Sequence, residues 1–145
     1  MIAVDTNLLV YAHRAGCPEH AASRRAIEAA ANDSRGWGIP SPCLLEFWSV
    51  VTHPLSAGGG SNPSSARRFI NSLIETAGAE IFPLSPALAL RCLQIAEQLG
   101  VGGPRIFDLQ ISLAALEAGV TEIWTQDDGF VALPGLEILD PLRAA

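Results

Sequence analysis

The apolar residues that could build a sheet come in short runs, and between those runs lie longer segments with helical spacing. Met1–Val4, Trp37–Ile39, Glu80–Pro83, Glu122–Trp124 and Leu136–Leu139 read as strands. Each is too short for a helix, and the first is apolar at every position, as in a strand covered on both faces. Between them, helices are expected from Pro18 to about Ala31, Pro42 to about Thr52, Ser64 or Ser65 to Ala77, Pro86 to Leu99, and Phe107 to Ala118. Asn7–His13 mixes helix-compatible and turn residues. Ser41-Pro42 and Ser85-Pro86 carry the signature of a capping serine followed by proline in the first helical turn. Strands alternating with helices predict an α/β fold with a mainly parallel central sheet and helices packed on it.

With 145 residues, the chain is expected to form one domain, residues 1–145, able to bury about two thirds of its unfolded surface. Its hydrophobic content of 49% against 17% charged residues speaks against disorder. Segment 53–65 contains Pro54, Gly58-Gly59-Gly60, Asn62 and Pro63 and is expected to be a long loop, a feature often functional in compact domains. The first apolar run is broken at Asp5 and has no basic leader, so no secretion signal is expected. The longest stretch without an Asp, Glu or Arg, Phe47–Ala66, holds the glycine triplet and would expose backbone in lipid. A soluble cytoplasmic protein without a membrane partner is therefore expected. Cys17, Cys43 and Cys92 suggest no disulfide framework, and Cys17-x-x-His20 has no second pair at zinc-finger spacing.

Fifteen acids against nine bases give a net charge of −6, and all nine bases are arginine. A chain of that balance has no overall attraction for nucleic acid. Four of the acids, however, sit where charge is costly. Asp5 ends the first strand, Glu46 interrupts an apolar helix, Asp108 stands between Phe107 and Leu109 at a helix start, and Asp127 follows the strand 122–124. Each has an ordinary reading alone: a turn acid at Asp5, an arginine partner for Glu46, a helix N-terminal acid at Asp108, and Asp-Gly turn chemistry around Asp127. Their joint placement is less ordinary. In an open parallel sheet ligands bind beyond the carboxyl ends of the strands, where Asp5 and Asp127 would project. Two carboxylates about 4 Å apart repel by roughly 4 kcal/mol at an effective dielectric of 20, and a hard divalent ion such as Mg²⁺ relieves that repulsion through oxygen ligands.

Asp5-Thr6-Asn7 after the first strand, Glu46 in its apolar helix, Asp108 opening a late helix, and Thr125-Gln126-Asp127 with Phe130 together resemble a PIN domain. The resemblance is to the VapC ribonuclease toxins of bacterial toxin-antitoxin pairs, and it covers nearly the whole chain. Ser41-Pro42 and Glu46-Phe47 with Val50–Pro54 match the toxins' second helix, and Pro134-Gly135-Leu136 with Leu139-Asp140-Pro141 matches their closing strand. Many relatives carry a further acid at the position of Gly129, which leaves Asp127 or Asp128 as the fourth acid, with Asp127 preferred.

The resemblance implies a PIN-like α/β/α sandwich and a Mg²⁺- or Mn²⁺-dependent endoribonuclease cleaving single-stranded or loop RNA. It implies Asp5, Glu46, Asp108 and Asp127 as catalytic acids, with Asp5 and Asp108 as the main metal ligands and Asn7 and Thr125 as supporting hydrogen-bond donors. Arg14, Arg67, Arg68 and Arg105 are candidate phosphate contacts. A cognate antitoxin that inserts a basic side chain among the acids, and a homodimer, are the implied protein partners. The helix carrying Phe47 and Trp48 would line such an interface or, more simply, pack in the core. Two other functions fit the same residues: a non-catalytic PIN-fold binding module, and a metal-dependent DNase or phosphatase.

Overall fold

The computed structural model describes residues 1–56 and 58–143. Ala57, inside the predicted loop, and Ala144 and Ala145, at the end of the predicted domain, lie outside the described residues. Five strands form one sheet: β1 Ile2–Val4, β2 Trp37–Pro40, β3 Glu80–Phe82, β4 Glu122–Trp124 and β5 Glu137–Leu139. Their spatial order is β3-β2-β1-β4-β5, and every neighbouring pair is parallel. Six helices flank the sheet: α1 Thr6–His13, α2 His20–Ala31, α3 Ser41–Thr52, α4 Pro63–Glu75, α5 Pro86–Leu99 and α6 Ile106–Glu117. The α/β expectation holds, and the sheet is parallel throughout.

The central strand explains itself. Ile2, Ala3 and Val4 have no exposed surface because β2 and β4 flank β1 and helices cover both faces, so no polar alternation is needed. Around it lie Leu8, Leu9, Ile39, Phe47, Phe82 and Ile123 in the main core. A smaller cluster, Cys92, Ala96, Leu109, Leu113 and Leu133, joins α5 to α6.

The strand order has one functional consequence. From β1 the chain moves outward through β2 to β3, then returns to the other side of β1 for β4 and β5. The direction of winding therefore reverses between β1 and β4. Connections leaving their carboxyl ends diverge there and leave a crevice, the usual ligand position in such folds.

Three helix starts differ in detail. Ser85 accepts from the Leu88 N–H at 3.2 Å, as its cap signature predicts. Ser41 is not a side-chain cap: β2 runs straight into α3, Pro40 takes the capping position, and Ser41 is already helical. At α4 the cap is Asn62, whose side chain accepts from the Ser64 N–H at 2.8 Å, and neither Ser64 nor Ser65 caps. Pro63 in the first helical turn is what places the cap one residue before it. In α3, Cys43, Phe47 and Val51 form the buried stripe, while Leu45 and Trp48 are exposed, so core packing accounts for Phe47 but not for Trp48.

Candidate active site

Asp5 leaves β1 at the switch point and becomes the cap of α1. Its Oδ1 accepts from the Thr6 N–H at 2.7 Å, which fixes the carboxylate at the carboxyl end of β1. Thr125, the first residue after β4, donates its hydroxyl to Asp5 Oδ2 at 2.7 Å. The same Thr125 oxygen accepts from Asn7 Nδ2 at 3.0 Å and from the Asp127 N–H at 3.1 Å. Asn7 Oδ1 in turn accepts from the Gln126 N–H at 3.3 Å. Both motifs predicted from sequence thus lock together: the first turn of α1 and the turn after β4 share one buried hydroxyl.

Asp5 is 7% exposed and has no ion-pair partner among the described residues. Burial raises its pKa; the Thr125 and Thr6 bonds oppose this, and the charge of Asp108 adds to it. The Cys43 thiol also donates to Asp5 Oδ1, at 3.7 Å. Burial and the charges of Asp5 and Glu46 push that thiol well up, so it stays a neutral donor.

Asp108 enters from the first turn of α6, where the helix N-terminus favours an acid. Its Oδ2 accepts from the Val131 N–H at 3.1 Å and from Arg105 Nη1 at 3.0 Å. The same Nη1 lies 2.8 Å from Asp127 Oδ2, and Asp127 Oδ1 accepts from the Gly129 N–H at 2.9 Å. Partial burial works against the Asp127 charge, but the Arg105 and Gly129 bonds outweigh it and hold its pKa below the ordinary value. Asp128 is exposed and pairs with Arg143 instead, so it is Asp127 that joins the cluster. Glu46 stands at the exposed rim on α3; partial burial first, then the charges of Asp5 and Asp108, raise its pKa. Asp5, Glu46 and Asp108 thus feel one another's charge, and Arg105 ties Asp127 to Asp108, so the four acids form one cluster.

A PIN domain family model matches residues 2–136. Ribonuclease VapC43 of Mycobacterium tuberculosis is 32% identical over 142 residues, covering 98% of this chain and 96% of that protein. The chain belongs to the PIN domain family and, within it, to the VapC ribonucleases. Solved PIN folds agree in architecture: VapC20 of M. tuberculosis, a sarcin-ricin loop cleaving toxin, has a TM-score of 0.67 at 14% identity over 92% of this chain and 98% of that one. VapBC2 from Rickettsia felis, bound to a promoter DNA fragment, has a TM-score of 0.65 at 20% identity over 96% and 98%.

The donor set of this PIN domain consists of carboxylate oxygens, the chemistry of a hard divalent ion. Among the described residues no three His, Cys, Asp or Glu side chains stand close enough to close around an ion as they are. Mg²⁺ does not need such a cage, since it keeps several waters and takes one or two carboxylates. The Thr6 hydroxyl, buried beside Glu46 and Cys43 without a hydrogen bond of full geometry, adds a further oxygen next to the acids. The residues fit the ion.

The four candidate arginines part company. Arg105 reaches the acids themselves. Arg14 donates to the Val50 carbonyl at 3.2 Å, bracing α1 against α3. Arg67 and Arg68 are exposed on α4, where Arg68 donates to Ser65 Oγ at 3.2 Å, and neither contacts the acids. Sequence reasoning missed Cys43 as a donor to Asp5 and Arg105 as a partner of the acids. Both had a signal: Cys43 lies one helical turn before Glu46, and Arg105 three residues before Asp108.

Proposed function

We propose that this PIN domain is a divalent-metal-dependent endoribonuclease that cleaves single-stranded or loop RNA and is neutralised by a cognate antitoxin. The observation that carries the reading is Asp5: a buried carboxylate at the switch point, supported by neutral donors and left without a counter-cation. Such a group costs several kcal/mol unless a cation completes it. Asp5 and Asp108 are the residues that would hold Mg²⁺ or Mn²⁺, with Glu46 and Asp127 completing the acidic set. Bound there, the ion supplies Lewis-acid polarisation of the scissile phosphodiester and lowers the pKa of a water. Asn7 and Thr125 orient Asp5 and the turn carrying Asp127, and Glu46 at the rim would take up the proton of the attacking water. Arg14, Arg67 and Arg68 are proposed phosphate contacts beyond the acids.

The single sheet supports reading 1–145 as one domain. Exposed Leu45 and Trp48 on α3 support an antitoxin footprint. An apolar hollow of about 160 Å³ rimmed by Leu93 and Phe107 supports pairing of two copies. No described helix is long and apolar enough to cross a membrane, consistent with a cytoplasmic site of action.

The test is cleavage of RNA, DNA and a phosphomonoester by purified protein in Mg²⁺, Mn²⁺ and EDTA, with Asp5→Asn and Asp108→Asn as controls. RNA cleavage in metal alone, lost in both variants, is expected. Wild-type rates from either variant would remove the assignment, and cleavage of DNA or the monoester alone would replace the substrate class.

A further inference from the structure

Arg105 was expected to hold substrate phosphate; its guanidinium instead lies between two of the acids. One nitrogen, Nη1, bonds Asp108 at 3.0 Å and Asp127 at 2.8 Å. Opposite it stands Gly129, whose φ is not in the left-handed region, so no backbone conformation demands glycine there. A Cβ at Gly129 would lie 2.5 Å from Arg105 Nη2 and 3.2 Å from its Cζ. The missing side chain leaves room for the guanidinium: a Cβ there would make it shift, and would also lie 3.4 Å from Asp127 Oδ1.

The seat is also one the arginine can leave. Its side chain is 47% exposed, and it ends a single 3₁₀ turn, Gly103–Arg105, preceded by Gly102. Neither acid depends on it for position, because the Val131 N–H holds Asp108 and the Gly129 N–H holds Asp127.

We infer that Arg105, admitted by the bare Gly129, is a resident cation of the acidic site that occupies Asp108 and Asp127 in the metal-free protein and must yield them to the divalent ion, so that this pair of residues sets the metal affinity. The inference rests on the metal-dependent reading above. A guanidinium and a divalent ion compete for the same oxygens, and two cations that close repel each other. Arg105 thus keeps the metal-free cluster from repelling itself and raises the metal concentration at which the site fills.

The experiment is binding of Mn²⁺ alone, followed by the EPR signal of the free ion, together with melting in EDTA and in Mn²⁺. Arg105→Gln is expected to bind Mn²⁺ about two- to thirtyfold tighter, the range for losing two partly exposed ion pairs. In EDTA it should melt below wild type, and its gain on adding Mn²⁺ should be larger. Gly129→Ala, whose Cβ would crowd Nη2 and displace the guanidinium, should tighten Mn²⁺ binding in the same direction by a smaller factor. The double variant should add little to Arg105→Gln alone. Unchanged or weaker binding in Arg105→Gln, with wild type binding normally, overturns the inference and leaves the metal-dependent reading intact. Independent, additive effects of the two substitutions also overturn it. Absence of Mn²⁺ binding in every variant overturns both.

Discussion

Thr125→Val is the substitution that most directly tests how the crevice is held. Valine keeps the shape and removes the hydroxyl, which donates to Asp5 Oδ2 and accepts from Asn7 Nδ2 and the Asp127 N–H. The bond to the ionised Asp5 is worth about 1.5–3 kcal/mol, and the two neutral bonds about 1 kcal/mol each, less for the half-exposed Asn7, which can turn to water. Because Thr125 is 1% exposed, no water replaces the lost oxygen at once. A loss of about 3–5 kcal/mol at neutral pH in EDTA is expected, read from urea unfolding. The pH dependence is the sharper check. Burial already raises the pKa of Asp5, and the Thr125 bond is the largest effect opposing it, so the variant's Asp5 must titrate higher than wild type's. The unfolded chains share the same Asp5, so only the native pKa values differ. The stability gap is therefore full above the variant's Asp5 pKa and shrinks as pH falls through it, leaving the share due to the two N–H bonds. Thr125→Ser, which keeps the hydroxyl, should recover most of the loss. A variant within about 0.5 kcal/mol of wild type, or a gap of the same size at every pH, would refute the claim that this hydroxyl holds a charged Asp5.

At the opposite end of the strands, Arg35 holds Asp33 down to about 2 and Glu122 below its ordinary range through hydrogen bonds and charge. Lowered carboxyl pKa values add stability above the ordinary carboxylate range and lose it as pH falls, so Arg35→Gln should be less stable near neutrality and converge on wild type in acid; urea midpoints across pH check this, and a constant gap would contradict it. Gly38→Ala would bring a methyl group against the Glu80 carbonyl and within 2.6 Å of Phe82 Cζ. Because the first is backbone of a paired strand, a loss of about 1–3 kcal/mol is expected in chemical denaturation, and near-wild-type stability would mean that β2 and β3 pack less closely than described.

The fold was legible where local chemistry and burial agree. β1 is apolar at every position because both its faces are covered, and Ser85-Pro86 carries its own cap. The four acids were legible because charge in an apolar setting needs a reason. What could not be read depends on distance along the chain. Arg105 and Asp127 are 22 residues apart, and Cys43 and Asp5 are 38 apart, so only the fold brings each pair together. Gly129 was visible only as a departure from its relatives; that its bareness admits a guanidinium is a tertiary fact. Two capping serines were misplaced for a local reason: Asn62-Pro63 already satisfied the cap-then-proline rule, and β2 meets α3 with no connecting residue.

The net charge of −6 looked like an argument against nucleic acid, and the structure shows why the sum misleads. Arg35 is held by Asp33 and Glu122 at the far end of the strands, and Arg143 by Asp128 and Asp140, so each of these arginines is already committed to two acids away from the site. Arg14, Arg24, Arg25, Arg67, Arg68 and Arg91 have no acid partner among the described residues. Among the described residues the four carboxylates have one arginine partner, Arg105, which pairs with Asp108 and Asp127. A phosphodiester entering that space would meet net negative charge at close range, in a region where Asp5 has little water to screen it. Phosphate can dwell there only with further positive charge delivered to the acids. This electrostatic arrangement supports the metal dependence proposed above, and the same field would draw an antitoxin's basic side chain toward the acids.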